Sequence, residues 1–254
     1  MNRKRLRYIV LVVAVIVFLY SAYQLYSIYS EYHKGDEEYE SIAEEVVEIE
    51  EPSEEEETKE VQFRVDFEKL MAINRETVAW IRFEEPSKIS YPVVQAVDND
   101  KYLKTTFEHK TNSAGALFVD AFNNGKFNDL NTFIYGHNMK NGSMFGQLRK
   151  YKSKDFCKDY PYFYIYTPDG KELTYQVFAV CTVEDTAESY RKTYEDEADY
   201  EKYLKHIQEI AHYDTGVKVT AASQIVSLST CTNVTDTQRL LVHGVKIGER
   251  TVGE

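Results

Sequence analysis

The side chain best suited to nucleophilic chemistry in this sequence is the thiol of Cys231. It lies in the stretch SLSTCTN (227–233), where hydroxyl side chains bracket it. A structural cysteine packs as a small hydrophobe, whereas a reactive one needs partial exposure, polar neighbours and a positive charge nearby. Cys157 in KDFCKDY and Cys181 in FAVCTV fit the structural description. We therefore expect Cys231 to be the reactive thiol.

Cysteine chemistry also requires a proton shuttle, and His137 is the best candidate. It follows the apolar run NTFIYG and precedes Asn138 and a polar loop, so its ring is expected at the end of a strand. A structural histidine held by its neighbours is the alternative. The other five histidines lie in an acidic stretch, beside a loop, on a predicted helix or inside a terminal strand: His33, His109, His206, His212 and His243.

An oxyanion formed during such chemistry needs a donor, and Arg239 is placed to supply one. It follows the loop TNVTDTQ and begins the apolar strand LLVHGVKI, so a hairpin would return it close to Cys231. A guanidinium there would lower the pKa of the thiol and offer rigid donors to the oxyanion. The alternative is a solvated charge at the start of a strand.

Short runs with period-two alternation fill most of the chain beyond residue 88. Many short strands separated by Gly, Asn and Asp predict a mainly β fold, a closed or nearly closed β-barrel. The TPDG sequence of Thr167–Gly170 predicts a hairpin. The runs are ISYPVVQA, AGALFVDAF, NTFIYGHN, YFYIYT, ELTYQVFAVCTV, KVTAASQIVSLSTCT and RLLVHGVKIG.

Helices are predicted before and between these strands. Asp66 can cap a short helix, FEKLMAIN, and a second helical turn is expected at RETVAWIRF. Ser143 can cap MFGQLRKY. A longer helix is expected from about Glu195 to His212, because apolar residues recur there at helical spacing and form a stripe that packs on the core.

The N-terminal 60 residues have three parts of different composition. Residues 1–7 form a basic leader with four cations, and residues 8–30 are 23 uncharged residues, where roughly 20 suffice to cross a membrane. We predict a signal-anchor helix with its N-terminus in the cytoplasm, since positive charge stays inside. A cleaved signal peptide is the alternative, but no A-x-A cleavage site follows.

Residues 31–60 hold 15 acidic and two basic residues. The charge of −12 divides into +4 for the leader, −13 for this stretch and −3 for residues 61–254. A segment so acidic is expected to form an extended extracellular tether. The chain has no basic stripe for nucleic acid, and the acidic run lacks the ligand spacing of a calcium loop.

The 194 residues from 61 to 254 are enough for one domain. The three cysteines show neither a disulfide framework nor a C-x-x-C metal spacing. The expected chemistry of Cys231, His137 and Arg239 requires no metal or organic cofactor.

Several motifs together resemble one known family. YGHN at 135–138, LSTC at 228–231, Arg239 eight residues later and an N-terminal anchor look like a sortase, a cysteine transpeptidase of Gram-positive cell surfaces. YPVVQAVDNDKYL, HNMKNGSMFGQL, the paired N-terminal helices and the long helix before the last strands look like class B. The resemblance covers residues 61–254. One departure is Ser227, which replaces the first Thr of the usual TL-x-TC pattern.

The resemblance implies a sortase-like closed β-barrel with N-terminal helices and a long helix inserted before the last strands, preceded by a transmembrane helix. It implies catalytic roles for His137, Cys231 and Arg239. Residues at positions that line the substrate groove of the family are Asn99, Leu103, Ser229 and Thr230.

It also implies that Cys231 attacks the Thr carbonyl of a C-terminal sorting signal, of the NP-x-T-N or LP-x-T-G type, on a surface protein. Arg239 then stabilises the oxyanion and His137 protonates the departing amine. An amine of a peptidoglycan precursor or of another protein takes over the acyl group from the thioester.

Two other functions remain open on the sequence. A surface cysteine endopeptidase would pass the acyl group to water, although a papain-like enzyme is less fitting because there the nucleophile precedes its histidine. A membrane-tethered β-barrel that only binds would not depend on Cys231 or His137.

Overall fold

The computed structural model describes residues 3–50, 62–84, 86–232 and 234–252. Within them, eight strands form a closed barrel in the order β10-β8-β7-β3-β4-β5-β6-β9, and β1 and β2 form a separate ribbon. The strands are β1 (Val47–Glu50), β2 (Gln62–Val65), β3 (Thr77–Phe83), β4 (Ser90–Val94), β5 (Leu117–Val119), β6 (Asn131–Tyr135), β7 (Tyr162–Thr167), β8 (Lys171–Glu184), β9 (Ile225–Cys231) and β10 (Gln238–Thr251).

The helices lie before and between the strands. They are α1 (Arg3–Val46), α2 (Phe67–Ile73), α3 (Lys154–Asp159) and α4 (Glu197–Glu209), with 3-10 turns at Lys101–Leu103, Phe145–Lys152 and Glu188–Tyr190. Most barrel neighbours run antiparallel, but β4 pairs parallel with β5 and β6 pairs parallel with β9. The predicted closed barrel is therefore confirmed.

Several local predictions are also confirmed. Asp66 caps α2 by accepting a hydrogen bond from the Lys69 backbone N–H at 3.0 Å. Thr167–Gly170 forms the β7–β8 hairpin, in which Gly170 takes a φ of 75° that favours glycine. Helix α4 buries the predicted apolar stripe against the outside of the barrel: Tyr200, Tyr203, Leu204 and Ile207.

Two local predictions are wrong. The segment RETVAWIRF was expected to be helical, but it contains β3, where Trp80 pairs with Tyr166 and Pro92. β-branched and aromatic residues favour a strand there, and the neighbouring strands decide the outcome. Ser143 caps no α-helix, because its hydroxyl bonds to Asn141 and a 3-10 helix begins at Phe145.

The structure also corrects the expected tether over 31–60. Residues 31–46 continue α1, and Tyr39, Ile42 and Val46 are buried against the barrel. These three residues recur at helical spacing, so they give the acidic helix one apolar stripe that packs on the core. Residues 51–60 of the expected tether lie outside the described residues.

Helix α1 is long and apolar enough over its N-terminal part to cross a membrane, judged by length and composition. The predicted span, residues 8–30, lies within it and has no contact that buries it in the protein. This helix fits the expected membrane anchor.

A buried polar chain links the strands that carry the candidate site. The His243 ring on β10 contacts Ser227 Oγ at 2.8 Å through Nδ1 and Cys181 Sγ at 3.5 Å through Nε2. Ser227 in turn donates to Asn131 Oδ1 at 2.8 Å. The serine that departs from the usual family pattern therefore lies in this network of β6, β8, β9 and β10.

This network makes stability depend on pH. Complete burial lowers the pKa of His243 to about 3, whereas an unfolded histidine titrates near 6.5. Between these values the unfolded chain binds a proton that the folded chain does not, so the stabilisation is complete above pH 6.5 and falls as the pH is lowered. The slope is about 1.4 kcal/mol per pH unit.

We predict that lowering the pH from 6.5 to 5 costs the full chain about 2 kcal/mol through His243 alone. His243→Asn keeps a polar atom near Ser227 and should remove this part of the slope. Urea unfolding in detergent can be followed by fluorescence of Trp80, the only tryptophan. An identical slope in both proteins would contradict the assignment.

Candidate active site

The alternation of β9 explains why the thiol lies among hydroxyl groups. Val226 and Leu228 point into the barrel core, so Ser227, Ser229 and Cys231 face the opposite side of the strand. Ser229 there meets the Tyr190 hydroxyl at 2.7 Å. Cys231, the last residue of the strand, is partly exposed.

Pairing of β9 with β10 places Arg239 beside the thiol. Arg239 and Cys231 are direct partners in the antiparallel register. Side chains of directly opposed residues lie on the same face, with Cβ atoms about 5 Å apart. The predicted hairpin return therefore occurs in the structure.

The Arg239 guanidinium is oriented by acceptors on both sides. Nη2 donates to Asp185 Oδ2 at 3.2 Å, and Nη1 donates to the Asp236 carbonyl at 2.7 Å. The side chain is only 22% exposed. It is thus a fixed donor group, which differs from the freely solvated charge that was the alternative.

Pairing of β6 with β9 brings His137 to the same end of the barrel. The strands run parallel with Tyr135 opposite Ser229, and the Gly136 N–H donates to the Ser229 carbonyl at 3.1 Å. His137, the residue after Gly136, therefore emerges beyond the end of β6, where β9 reaches Cys231. The Asn138 side chain closes this junction by donating to the Cys231 carbonyl at 2.8 Å.

Only glycine fits at the residue before His137. A Cβ at Gly136 would lie 2.2 Å from the Leu117 side chain and 2.7 Å from the Phe145 ring. The backbone just after β6 therefore packs directly against the Leu117 side chain and the Phe145 ring. The backbone that carries His137 therefore has little freedom.

The ring of His137 is held by a backbone carbonyl. Nε2 lies 2.7 Å from the Leu103 oxygen. Because a carbonyl oxygen can only accept, Nε2 carries a hydrogen, and in the neutral ring Nδ1 holds the free lone pair. A histidine fixed in one tautomer in this way is suited to proton transfer.

A pocket of about 350 Å³ opens at this end of the barrel. All seven predicted site residues line it, namely Asn99, Leu103, His137, Ser229, Thr230, Cys231 and Arg239. Residues that the sequence did not indicate complete the wall: Phe118, Tyr135, Gly136, Asp185, Tyr190 and Lys192.

The four predicted groove residues differ in exposure. Ser229 and Thr230 are 2% and 3% exposed, so they form the floor, whereas Leu103 is 39% exposed at the edge. Burial raises the pKa of Tyr190 to about 12, so its hydroxyl next to Ser229 is neutral at physiological pH. The floor of the pocket therefore carries neutral hydrogen-bonding groups.

Three residues of the pocket wall are joined by Asp120, a residue that no sequence motif indicated. Its Oδ2 accepts hydrogen bonds from Tyr135 at 2.8 Å and Asn99 at 3.2 Å, and it pairs with Lys192. Burial raises the pKa of Asp120, but the hydrogen bonds of Lys192, the Phe122 N–H and Tyr135 outweigh this and lower the pKa. In the sequence, the signal for Asp120 is an acidic residue at the end of the apolar run ALFVD.

The other two cysteines are buried, as expected of structural residues. Burial raises the pKa of Cys157 and raises that of Cys181 to about 12. In the described part of the chain no three His, Cys, Asp or Glu side chains are grouped to hold a metal ion.

The comparisons with known proteins agree on one family. A model of the Sortase domain family matches residues 85–247. Sortase B of Listeria monocytogenes is 34% identical over 187 residues, 72% of this chain and 74% of that protein. Sortase B of Staphylococcus aureus is 30% identical over 185 residues, 72% of this chain and 75% of that protein.

Solved structures lead to the same result. Sortase B from B. anthracis in complex with AAEK1 has a TM-score of 0.74 and 34% identity, and covers 87% of this chain and 99% of its own. A sortase B complexed with triglycine has a TM-score of 0.66 and 29% identity, and covers 74% of this chain and 86% of its own.

The exposure of the three thiols predicts selective alkylation. Excess iodoacetamide should add one group to the folded full chain in detergent, and peptide mapping should locate it at Cys231. Cys157 and Cys181 should react only after denaturation, because burial keeps them neutral and inaccessible.

The Cys231→Ala variant serves as the control, since its folded form should take up no label. Labelling of Cys157 or Cys181 in the folded chain at a similar rate would show that the reactive thiol has been misassigned.

Proposed function

The chain belongs to the sortase family and is a cysteine transpeptidase of class B, and from this premise we propose that Cys231, Arg239 and His137 carry out its reaction. The observation that supports this most strongly is the strand pairing around β9. It places Arg239 directly opposite Cys231 and brings His137 to the same pocket. Nucleophile, oxyanion donor and proton shuttle are thus supplied by three adjacent strands.

In the proposed first step, the Cys231 thiolate attacks the carbonyl carbon of Thr in a C-terminal sorting signal. A carbon–sulfur bond forms and the carbonyl oxygen becomes an oxyanion. When the carbonyl reforms, the carbon–nitrogen bond breaks, and His137 in its protonated form gives a proton to the departing amine. The product is a thioester between Cys231 and the surface protein.

Arg239 is proposed to stabilise the oxyanion of this step. Asp185 and the Asp236 carbonyl orient its guanidinium before the reaction begins. A donor that is already in place needs no reorganisation when charge develops on the oxygen. Its planar fork also fixes the direction of the hydrogen bond.

In the proposed second step, an amine attacks the thioester. His137 takes a proton from the attacking amine, an amide bond forms and the Cys231 thiolate leaves. We propose that the amine belongs to a cell wall precursor or to another protein, and the triglycine complex of a related sortase B supports an acceptor with a small amino terminus. The outcome is a surface protein that is covalently anchored.

The pocket walls are proposed to hold the sorting signal. Ser229 and Thr230 run along its floor towards the thiol, and Leu103 and Asn99 lie across from them. These four residues offer apolar surface and an amide to the peptide residues that precede the acylated Thr. The signal type, NP-x-T-N or LP-x-T-G, is part of the proposal.

The N-terminal part of α1 is proposed to anchor the enzyme. We propose a cytoplasmic leader at 1–7, a membrane span at 8–30 and a catalytic domain on the extracellular face. Since residues 31–46 pack on the barrel and residues 47–50 pair with β2, this domain includes them as well as residues 62–252. Anchoring confines enzyme, donor and lipid-linked acceptor to one surface and raises their effective concentrations.

Intact-mass spectrometry of the full chain with a panel of sorting peptides tests the proposed function. A matching peptide should add the mass of its fragment up to Thr, and an added amine should discharge it as an amide. Cys231→Ala should form no adduct yet fold normally, because a partly exposed thiol at a strand end packs little. Turnover in Cys231→Ala would exclude Cys231 as nucleophile, and discharge to water alone would indicate an endopeptidase.

A second prediction concerns Arg239→Lys, which keeps the charge but loses the fork. The rate of thioester formation should fall about 100- to 1000-fold, as for loss of one oxyanion donor. Arg250→Lys is the matched control. Arg250 lies at the opposite end of β10 from Arg239, and its side chain donates to Glu172 at 2.7 Å. Stopped-flow or quench assays of adduct formation measure both. Equal rates for Arg239→Lys and Arg250→Lys would contradict the proposed role.

A further inference from the structure

We propose that the C-terminal part of α1, residues 31–46, is a positioning element for His137, with Tyr39 and Asp36 as its positioning residues. The inference rests on the proposed proton-transfer role of His137. It concerns a segment whose acidic composition predicted only a solvated tether. Two loops hold His137, and contacts from this one helix reach both of them.

The first contact reaches the loop that holds the imidazole ring. The Tyr39 hydroxyl donates to the Gly115 carbonyl at 2.5 Å and accepts from the Phe107 N–H at 3.3 Å. Tyr39 is 4% exposed, so both bonds are shielded from water. The hydroxyl thus ties the two sides of the 104–116 loop to the helix.

Gly115 transmits this contact to the carbonyl that binds His137. Its φ of 56° and its lack of a side chain let it pack on the preceding turn. A Cβ there would lie 2.3 Å from the Tyr102 carbonyl oxygen and 3.0 Å from that of Leu103. Leu103 is the residue whose carbonyl holds Nε2 of His137. Ala116, the residue after Gly115, donates its N–H to the Tyr102 carbonyl at 3.0 Å, so the loop held by Tyr39 is bonded to the turn that ends at Leu103.

Further hydrogen bonds join the 104–116 loop to α1. Glu31 accepts from the Asn112 side chain through its carbonyl at 2.8 Å and from the Ser113 N–H through its carboxylate at 2.8 Å. The buried Glu38 carboxylate accepts from the Glu108 N–H at 3.1 Å. The loop is thus bonded to α1 at Glu31, about two turns before Tyr39, at Glu38 and at Tyr39 itself.

The second contact reaches the loop that follows His137. Asp36 Oδ2 accepts from the Asn141 side chain at 2.8 Å. Tyr39 also packs edge-on against Tyr91 with ring centroids 5.4 Å apart, and the Tyr91 hydroxyl accepts from the Met144 N–H at 3.1 Å. The residue after Met144 donates its N–H to the His137 carbonyl at 3.0 Å.

Both restraints on His137, one on the ring and one on its backbone, therefore lead to the same helix. By contrast, Cys231 and Arg239 are placed by the pairing of β9 and β10, which α1 does not join. Proton transfer tolerates little misplacement, and a shift of about 1 Å can cost about 100-fold in rate. Loss of the helix contacts should therefore reduce turnover far more than it weakens peptide binding.

The connection also has a consequence for the anchor. α1 is one helix from Arg3 to Val46, and the 16 residues from 31 to 46 extend about 24 Å beyond the proposed span. The proposed membrane segment and the segment that positions His137 are thus parts of one continuous helix.

The test uses the full chain in detergent with a donor peptide and an amine acceptor. Tyr39→Phe removes the hydroxyl that bonds Gly115 and Phe107 but keeps the ring in its place. We expect kcat to fall about tenfold, with KM raised less than about threefold because the loop also carries the groove residue Leu103, and with the rate of Cys231 alkylation unchanged. Asp36→Ala, which alters only the second contact, should lower kcat by a smaller factor.

Tyr29→Phe is the matched control, because it makes the same change on the same helix at a side chain that is 69% exposed. It should retain the kcat of the unchanged protein. Hydrogen exchange should become faster over 103–116 in Tyr39→Phe but remain the same over β9 and β10.

Wild-type kcat in both Tyr39→Phe and Asp36→Ala would overturn the inference. A parallel rise in KM with faster exchange over β9 and β10 would also overturn it, because the helix would then stabilise the whole domain. Failure of the proposed function is distinct, since the unchanged protein itself would form no acyl adduct.

Discussion

The register of β9 is the constraint on which the site depends. β9 pairs antiparallel with β10 and parallel with β6, so a single strand fixes the positions of Cys231, Arg239 and His137 relative to one another. A shift of one residue would turn Cys231 into the barrel and bring a core residue to the pocket. The register is held by the alternating core residues of β9 and by the buried chain from Asn131 through Ser227 to His243. Fold stability and site geometry therefore depend on the same hydrogen bonds.

Different parts of the structure orient the individual groups around that register. Asp185 orients the Arg239 guanidinium. The Leu103 carbonyl selects the tautomer of His137. Asp120 binds Asn99 and Lys192 in the pocket wall. None of these contacts involves the thiol itself. The arrangement leaves Cys231 open to a peptide while its partners are held in place.

Much of this could be predicted from the sequence because the signals are local. The hydroxyl-rich end of β9, the polar loop after His137 and the position of Arg239 after a short loop all indicate strand ends at one rim. The barrel and α4 follow from periodicity. The contribution of residues 31–46 could not be predicted from composition, because their seven acidic residues conceal three apolar ones at helical spacing. The strand β3 and the partners of Asp120 depend on distant segments, which no local pattern reveals.

The proposed mechanism requires one pocket that combines a nucleophile, an oxyanion donor and a proton shuttle. A crystal structure of the chain with a sorting peptide linked through its terminal carbonyl to Cys231 would show whether these groups meet the substrate. We predict the carbonyl oxygen within about 3 Å of the Arg239 guanidinium, the His137 ring on the leaving-group side and the upstream residues along Ser229 and Asn99. A peptide whose carbonyl points away from Arg239, or whose chain leaves the pocket on another side, would contradict the proposed mechanism.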